Sequence, residues 1–156
     1  VSAVLVSLRV AVSAEEAFDV FTEDIGLWWR PGALFQITPS GDGTLSFENR
    51  ERLITTLASG KVFEIGRVTA WQRPSRLAFT WRQATFTPDQ VTHVDVLFEP
   101  VGEETRVTVT HRGWDTLPQD HVARHGFPLQ ATQMRLAELW RAQLAAINRQ
   151  LADKSR

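Results

Sequence analysis

The chain has 156 residues, a length that suits one domain burying roughly two-thirds of the surface its unfolded form exposes, with no second domain expected within 1–156. Its 17 basic and 18 acidic residues leave a formal charge of -1, which excludes the global attraction to phosphate backbones or anionic lipid that nucleic-acid and membrane-surface proteins exploit. The absence of cysteine excludes disulfides, thiolate nucleophiles and cysteine-ligated zinc, while six tryptophans and nine phenylalanines without a tyrosine suit either a packed core or a cavity wall.

Val4, Val6, Leu8, Val10 and Val12 recur at every second position, with Ser7 and Arg9 between them, which predicts a half-buried strand. This segment lacks the pattern of a secretion signal, and no stretch reaches the roughly 18 consecutive apolar residues of a membrane span, so a cytoplasmic location is the expectation. Ser13-Ala14-Glu15-Glu16 is a capping box that starts a helix with an apolar stripe of Ala17, Phe18, Val20 and Phe21. Thr22 to Asp24 offer a cap for a second short helix through Ile25, Leu27 and Trp28, which Pro31-Gly32 stops. Of the adjacent Trp28 and Trp29, one is expected to pack inward and the other sideways, because neighbouring helical residues do not share a face.

From residue 33 to 111 the pattern changes to β-rich runs between turn residues. Six strands are predicted, at 34–38, 44–56, 61–71, 76–83, 91–99 and 105–111. Gly41-Asp42-Gly43, Ser59-Gly60, Pro74-Ser75, Thr87-Pro88-Asp89 and Gly102-Glu103-Glu104 separate them closely enough for an antiparallel meander. Three strands show one apolar face: Leu77, Phe79 and Trp81; Val94, Val96 and Phe98; Val107 and Val109 leading to His111. The run with Phe63, Ile65 and Val68 fits either alternation, and a bulge near Gly66 would decide it. From 129 to 151, Leu129, Leu136, Trp140, Leu144, Ile147 and Leu151 fall on one side of a long helix, with Arg135, Glu138 and Arg141 placed to pair on another.

The order of strand, two short helices, six strands and long helix matches the helix-grip fold, an α+β architecture in which the long C-terminal helix covers a seven-stranded curved antiparallel sheet. The chain resembles the heat-shock-protein-90 ATPase activator homologue-like proteins of the START and Bet v-type (SRPBCC) superfamily. The residues carrying the resemblance are Val12-Ser13-Ala14-Glu15-Glu16-Ala17-Phe18 with Leu27-Trp28-Trp29 and Pro31; Gly66-Arg67-Val68 with Trp71, Arg73-Pro74 and Arg76-Leu77-Ala78-Phe79-Thr80-Trp81; Phe98-Glu99-Pro100 with Thr105-Arg106-Val107; and His111-Arg112-Gly113-Trp114. An insertion-like 50–59 segment and Gly126-Phe127-Pro128, in place of a Gly-Trp-Pro-like run, depart from the pattern.

The resemblance implies a cavity between sheet and helix, and the apolar faces converge on the same place. The candidate ligand-binding residues are Trp28, Phe79, Trp81, Val96, Phe98, Val109, His111, Leu136 and Trp140, with His111 either a polar ligand contact or general base, or a satisfied histidine at the rim. Glu48, Glu51, Glu64 and Arg67 form either an acid/base cluster or a cross-strand ladder on the open sheet face. His121 and His125 are four apart, with Asp115 or Asp120 as a third ligand, but Gly126 and Pro128 oppose a helix there and no metal is expected. Gly-x-Ser-x-Gly, Gly-x-Gly-x-x-Gly and Gly-Lys-Ser/Thr signatures are absent, and no cofactor is expected. The expected partner is a small hydrophobic or aromatic molecule, with no nucleic acid, no membrane span and a homodimer as the oligomeric option. Carriage or sequestration of that molecule leads, and the resemblance adds a cyclase- or aromatase-like enzyme and a chaperone partner as alternatives.

Overall fold

Alternation alone accounts for the first element. In the computed structural model, which describes residues 3–30, 43–83, 86–118, 120–121, 124 and 126–154, β1 (Ala3–Val10) buries Val4, Val6 and Val10 on one face. Ser13 then caps α1 (Ala14–Glu23), its hydroxyl accepting from the Glu16 amide at 3.2 Å, which satisfies one of the donors a helix start leaves open. Phe18, Val20 and Phe21 face inward from α1.

The cap expected for the second helix is different. Thr22 lies inside α1 with its hydroxyl donating to the Phe18 carbonyl at 2.9 Å, and Asp24 precedes α2 (Ile25–Trp28) without a side-chain cap bond. Its carboxylate instead accepts from Lys154 Nζ at 3.0 Å, from the far end of the chain. The stop predicted at Pro31-Gly32, the turn residues Gly41 and Asp42 and the strand predicted at 34–38 lie outside the described residues.

The other strands are β2 (Thr44–Glu48), β3 (Arg52–Thr56), β4 (Val62–Gln72), β5 (Arg76–Trp81), β6 (Thr92–Val101) and β7 (Glu104–Arg112). They make one seven-stranded sheet in the order β1-β7-β6-β5-β4-β3-β2, with every neighbouring pair antiparallel. β2 to β7 are thus a meander, and β1 pairs beside the last strand. The single strand predicted at 44–56 is a hairpin, closed by Glu51 N donating to Glu48 O at 2.9 Å and by positive φ at Asn49 (54°) and Arg50 (59°). Asn-Gly favours such a turn, and arginine in place of the glycine concealed it.

β4 carries the bulge suspected near Gly66: its pairing with β3 shifts between Leu53 and Ile54, leaving Ile65 as the extra residue, and Ile65 is buried. β4 also shifts against β5 between Val68 and Ala70. A Cβ on Gly66 would stand 1.7 Å from the Thr80 carbonyl oxygen, so the two backbones approach closely only because the side chain is absent.

The long helix α3 (Leu129–Lys154) buries Leu136, Trp140, Leu144, Ile147 and Leu151, packs across β1 and touches α1 and α2. The fold is the α+β helix grip, and one contiguous hydrophobic cluster joins sheet and helices. Arg135, Glu138 and Arg141 are exposed, and the Arg135 guanidinium lies 4.3 Å above the Phe127 ring. Among the described residues no helix is long and apolar enough to cross a membrane.

Two substitutions test the helix faces. Leu136→Arg places an unpaired charge at a site with no exposure and should lower unfolding stability by about 3 kcal/mol or more. Arg135→Ala removes one exposed cation–π contact and should change it by less than about 1 kcal/mol. Urea titrations of equal m-value will separate them. Gly66→Ala should resemble Leu136→Arg, because the new methyl meets backbone that cannot yield.

Candidate functional site

The register of the sheet brings the predicted apolar faces into rungs. Val4, His111, Val94 and Phe79 stand opposite one another across β1, β7, β6 and β5, and Val6, Val109, Val96 and Leu77 form the next rung. All eight are buried. Leu136 and Trp140 close over the sheet from α3, one helical turn apart and both with 1% exposure or less.

His111 has no exposed surface and lies inside the domain, not at the rim, because β7 continues to Arg112 and the following turn folds Trp114 over it. The Trp140 indole N–H donates to His111 Nδ1 at 3.1 Å. An indole can only donate, so Nδ1 is the unprotonated nitrogen and Nε2–H donates to Thr92 Oγ1 at 2.8 Å. The Thr92 hydroxyl in turn donates to the Trp81 carbonyl at 3.0 Å. Burial, with a smaller contribution from the charge of His93, lowers the His111 pKa to about 3. At neutral pH the imidazole is uncharged and both nitrogens are engaged, which is the satisfied-histidine reading rather than a free general base.

Indole and phenyl rings surround that chain. Trp81, Trp114 and Trp140 place their ring centroids 6.5, 5.3 and 5.9 Å from His111. Trp29 lies 5.4 Å from Trp81 and 5.7 Å from Trp140, and Trp28 is 5.9 Å from Trp29. The expectation that one of Trp28 and Trp29 looks sideways is therefore corrected: both are buried. α2 ends at Trp28, the backbone at Trp29 turns extended (φ -61°, ψ 131°), and the helical rule for neighbouring residues stops applying there. Trp28 donates its indole N–H to the Val20 carbonyl at 3.0 Å.

Of the nine candidate residues, Trp81, His111 and Trp140 are in mutual ring contact or hydrogen-bonded, and Trp28 joins them through Trp29. Val96 and Val109 share a rung beneath them. Phe98 and Phe79 belong to another part of the core: Phe98 packs on Phe18 and Phe21 at 5.1 and 5.8 Å, and Phe79 on Phe47 at 5.5 Å. Two polar residues that the periodicity did not single out also matter. Thr92 stands two before Val94 in the same alternation, and Gln143 interrupts the buried side of α3, where it accepts from Arg30 N at 2.8 Å and donates to Arg30 O.

Glu48, Glu64 and Arg67 resolve into the ladder. Arg52 meets Glu48 at 2.6 Å and Glu64 at 3.7 Å, and Arg67 meets Glu64 at 3.4 Å, all partly exposed; Glu51 is exposed. His121 Nε2 is 2.9 Å from Gln90 Oε1, and His125 lies outside the described residues. Among the described residues no three His, Asp or Glu side chains converge on a metal position.

Two surface depressions are lined by residues outside the tryptophan cluster. One of about 510 Å³ is lined by residues including Asp19, Phe47, Arg50, Trp71 and Arg73, and one of about 330 Å³ by residues including Ser13, Pro74, Phe98 and Glu104.

The family model described as "Activator of Hsp90 ATPase homolog 1-like protein" matches residues 11–140. No curated protein matches the sequence. Among solved structures, a protein from Mesorhizobium loti is 18% identical with a TM-score of 0.65, covering 99% of this chain and 98% of that one. An Hsp90 activator from Plasmodium falciparum is 20% identical, TM-score 0.57, over 84% of each chain. At these identities the likeness concerns the fold alone. The anthrahydroquino-gamma-pyrone synthase Txn09 is 29% identical, TM-score 0.51, over 88% of each chain.

The buried neutral His111 generates a pH prediction. Its proton affinity is ordinary in the unfolded chain and depressed in the folded one, so its contribution to stability is complete above pH ~6.5 and is lost as pH falls toward about 3. The loss reaches about 5 kcal/mol at most, with a slope of up to ~1.4 kcal/mol per pH unit. His111→Gln, measured by urea unfolding from pH 7.5 to 4, should show a slope shallower by about one proton. Identical slopes for the two proteins would contradict the assignment.

Proposed function

The chain belongs to the Activator of Hsp90 ATPase homolog 1-like family, and from that premise we propose that it binds a small, largely apolar aromatic molecule between the sheet and α3. The observation carrying this reading is the convergence of Trp29, Trp81, Trp114 and Trp140 around an uncharged His111. Flat rings set edge to face offer a planar guest the same contacts they give one another, each worth about 0.5–1.5 kcal/mol. Trp28, Val96, Val109 and Leu136 back the site, while Phe79 and Phe98 pack outside it, on Phe47 and on Phe18 and Phe21. Trp29 and Phe86, each 9% exposed, are where the cluster comes nearest to solvent.

A cyclase-like enzyme is the second reading, favoured by the 29% identity to Txn09, an anthrahydroquino-gamma-pyrone synthase. Binding leads because the histidine best placed to move a proton already spends both nitrogens on Trp140 and Thr92. A chaperone partnership, which the family name suggests, has the weaker support of an activator relative similar in fold.

The test is a thermal-shift and tryptophan-fluorescence titration with naphthalene, anthracene and anthraquinone, followed by native mass spectrometry of protein from its own host. Binding should raise the melting temperature as linkage requires and quench tryptophan emission. Trp81→Ala should weaken binding about tenfold, and Trp71→Ala, whose ring packs on Phe18 and Phe47, should leave it within about twofold. A retained host molecule that is chemically altered on incubation would move the reading to the enzyme. A panel that neither binds nor stabilises would remove both.

A further inference from the structure

Buried nitrogen donors normally find acceptors, because an unmet N–H in the interior forfeits its bond to water. Two donors in the segment that leads from β7 into α3 do not. Trp114 is 1% exposed and Arg124 6% exposed, and among the described residues neither Trp114 Nε1 nor Arg124 Nε has a hydrogen-bond partner. Arg124 is otherwise fixed, with Nη1 donating to the Leu117 carbonyl at 2.8 Å and Nη2 to the Phe127 carbonyl at 2.9 Å. Those carbonyls hold the guanidinium in place without neutralising it, and no carboxylate stands within ion-pair distance among the described residues.

The two residues that carry these donors are joined through Leu117 and through Phe86 and His121. Leu117, which receives Arg124, closes the 3₁₀ turn Trp114–Thr116 by donating its amide to the Trp114 carbonyl at 3.2 Å. The Phe86 ring lies 5.8 Å from Trp114 and 5.7 Å from His121, whose carbonyl accepts from the Arg124 amide. Trp114 in turn lies against His111, in the aromatic cluster. The placement is fixed by Gly113 at φ 102°, where a side chain would be strained and would press within 3.2 Å of Thr92 Cα.

We infer that this cap holds an anionic-oxygen subsite for the bound ligand, in which Trp114 Nε1 and Arg124 Nε donate to a carboxylate on an aromatic guest. The inference rests on the aromatic-ligand reading and adds the polar end of the molecule. A buried cation held only by carbonyl dipoles gains most from a negative charge, and a charged acceptor forms roughly twice as strong a bond to each N–H as a neutral one. Among the described residues no acceptor fills these positions, so the ligand brings one.

The experiment uses the full ¹⁵N-labelled chain and two probes of equal ring size, 2-naphthoate and naphthalene. Binding is followed by tryptophan fluorescence, and the indole Nε1 and arginine Nε protons by ¹H–¹⁵N spectra, with Trp114 assigned from the signal missing in Trp114→Phe. Naphthoate should bind about tenfold tighter than naphthalene and should alone move the Trp114 Nε1 and Arg124 Nε signals downfield. Trp114→Phe and Arg124→Lys should each weaken naphthoate about fivefold more than they weaken naphthalene. If both probes bind equally and neither signal moves, the subsite is refuted while the aromatic-ligand reading stands. If neither probe binds, both fail together. The wild-type spectra and Trp114→Phe, which keeps an aromatic ring, decide the matter even if the arginine variant does not fold.

Discussion

One hydrogen bond fixes how the long helix sits on the sheet. Apolar contacts between α3 and the strands set a distance, but they are non-directional and tolerate rotation and sliding. The bond from Trp140 Nε1 to His111 Nδ1 does not. Because the indole has a single donor, it selects the imidazole tautomer, which turns Nε2–H toward Thr92, whose hydroxyl then has only its proton left for the Trp81 carbonyl. Four groups on α3, β7, β6 and β5 are thereby satisfied in one direction. Losing any one leaves a buried partner unmet, at about 1–3 kcal/mol. The rungs of valine around this chain supply burial, and the chain itself supplies register.

Much of this frame was legible in the sequence, and the misses have physical causes. Period-two runs such as Leu77-Phe79-Trp81 and Val94-Val96-Phe98 declared their buried faces because a half-covered strand permits only one alternation. The stripe from Leu136 to Leu151 declared α3 in the same way. The β2–β3 turn was hidden because its left-handed positions hold Asn49 and Arg50 rather than an Asn-Gly pair. Trp29 was misjudged because a helix-face rule was carried one residue past the end of α2. The candidate site shows the same division. Sequence pattern placed Trp81, His111 and Trp140 on faces that meet, but it could not assign Phe98 to the ring stack beneath α1 or show that His111 has both nitrogens taken. Those depend on tertiary distances, and Trp114 and Arg124 lie in turns where no period operates.

Outside the core, ion pairs link segments whose positions the apolar contacts leave loose. Arg73 grips the Asp19 carboxylate through two nitrogens at 2.7 and 2.8 Å, joining the β4–β5 turn to α1, and this bond holds the Asp19 carboxyl below its usual range. Lys154 on Asp24 joins the end of α3 to the α1–α2 junction. Partly exposed pairs of this kind add little stability, typically under about 1 kcal/mol. Their value here is orientation, since both draw α1 and α2 against the elements that flank the tryptophan cluster. Gln143 achieves the same from inside by clasping both backbone groups of Arg30 where α2 leaves for the sheet.

The distribution of polar atoms also explains how a fold shared at 18–29% identity can serve different chemistries. Covering a sheet with a helix requires matched pattern and volume, which many side-chain sets supply, so the frame survives extensive substitution. A buried nitrogen or hydroxyl has no such freedom, because each must meet a partner of the right kind at about 3 Å. Among the described residues, His111, Thr92 and Gln143 bind other parts of the protein and hold the frame, whereas Trp114 Nε1 and Arg124 Nε meet no acceptor. Groups of the first kind make the fold specific. Groups of the second kind discriminate by chemistry, since a buried donor without a protein partner favours a molecule that carries an acceptor.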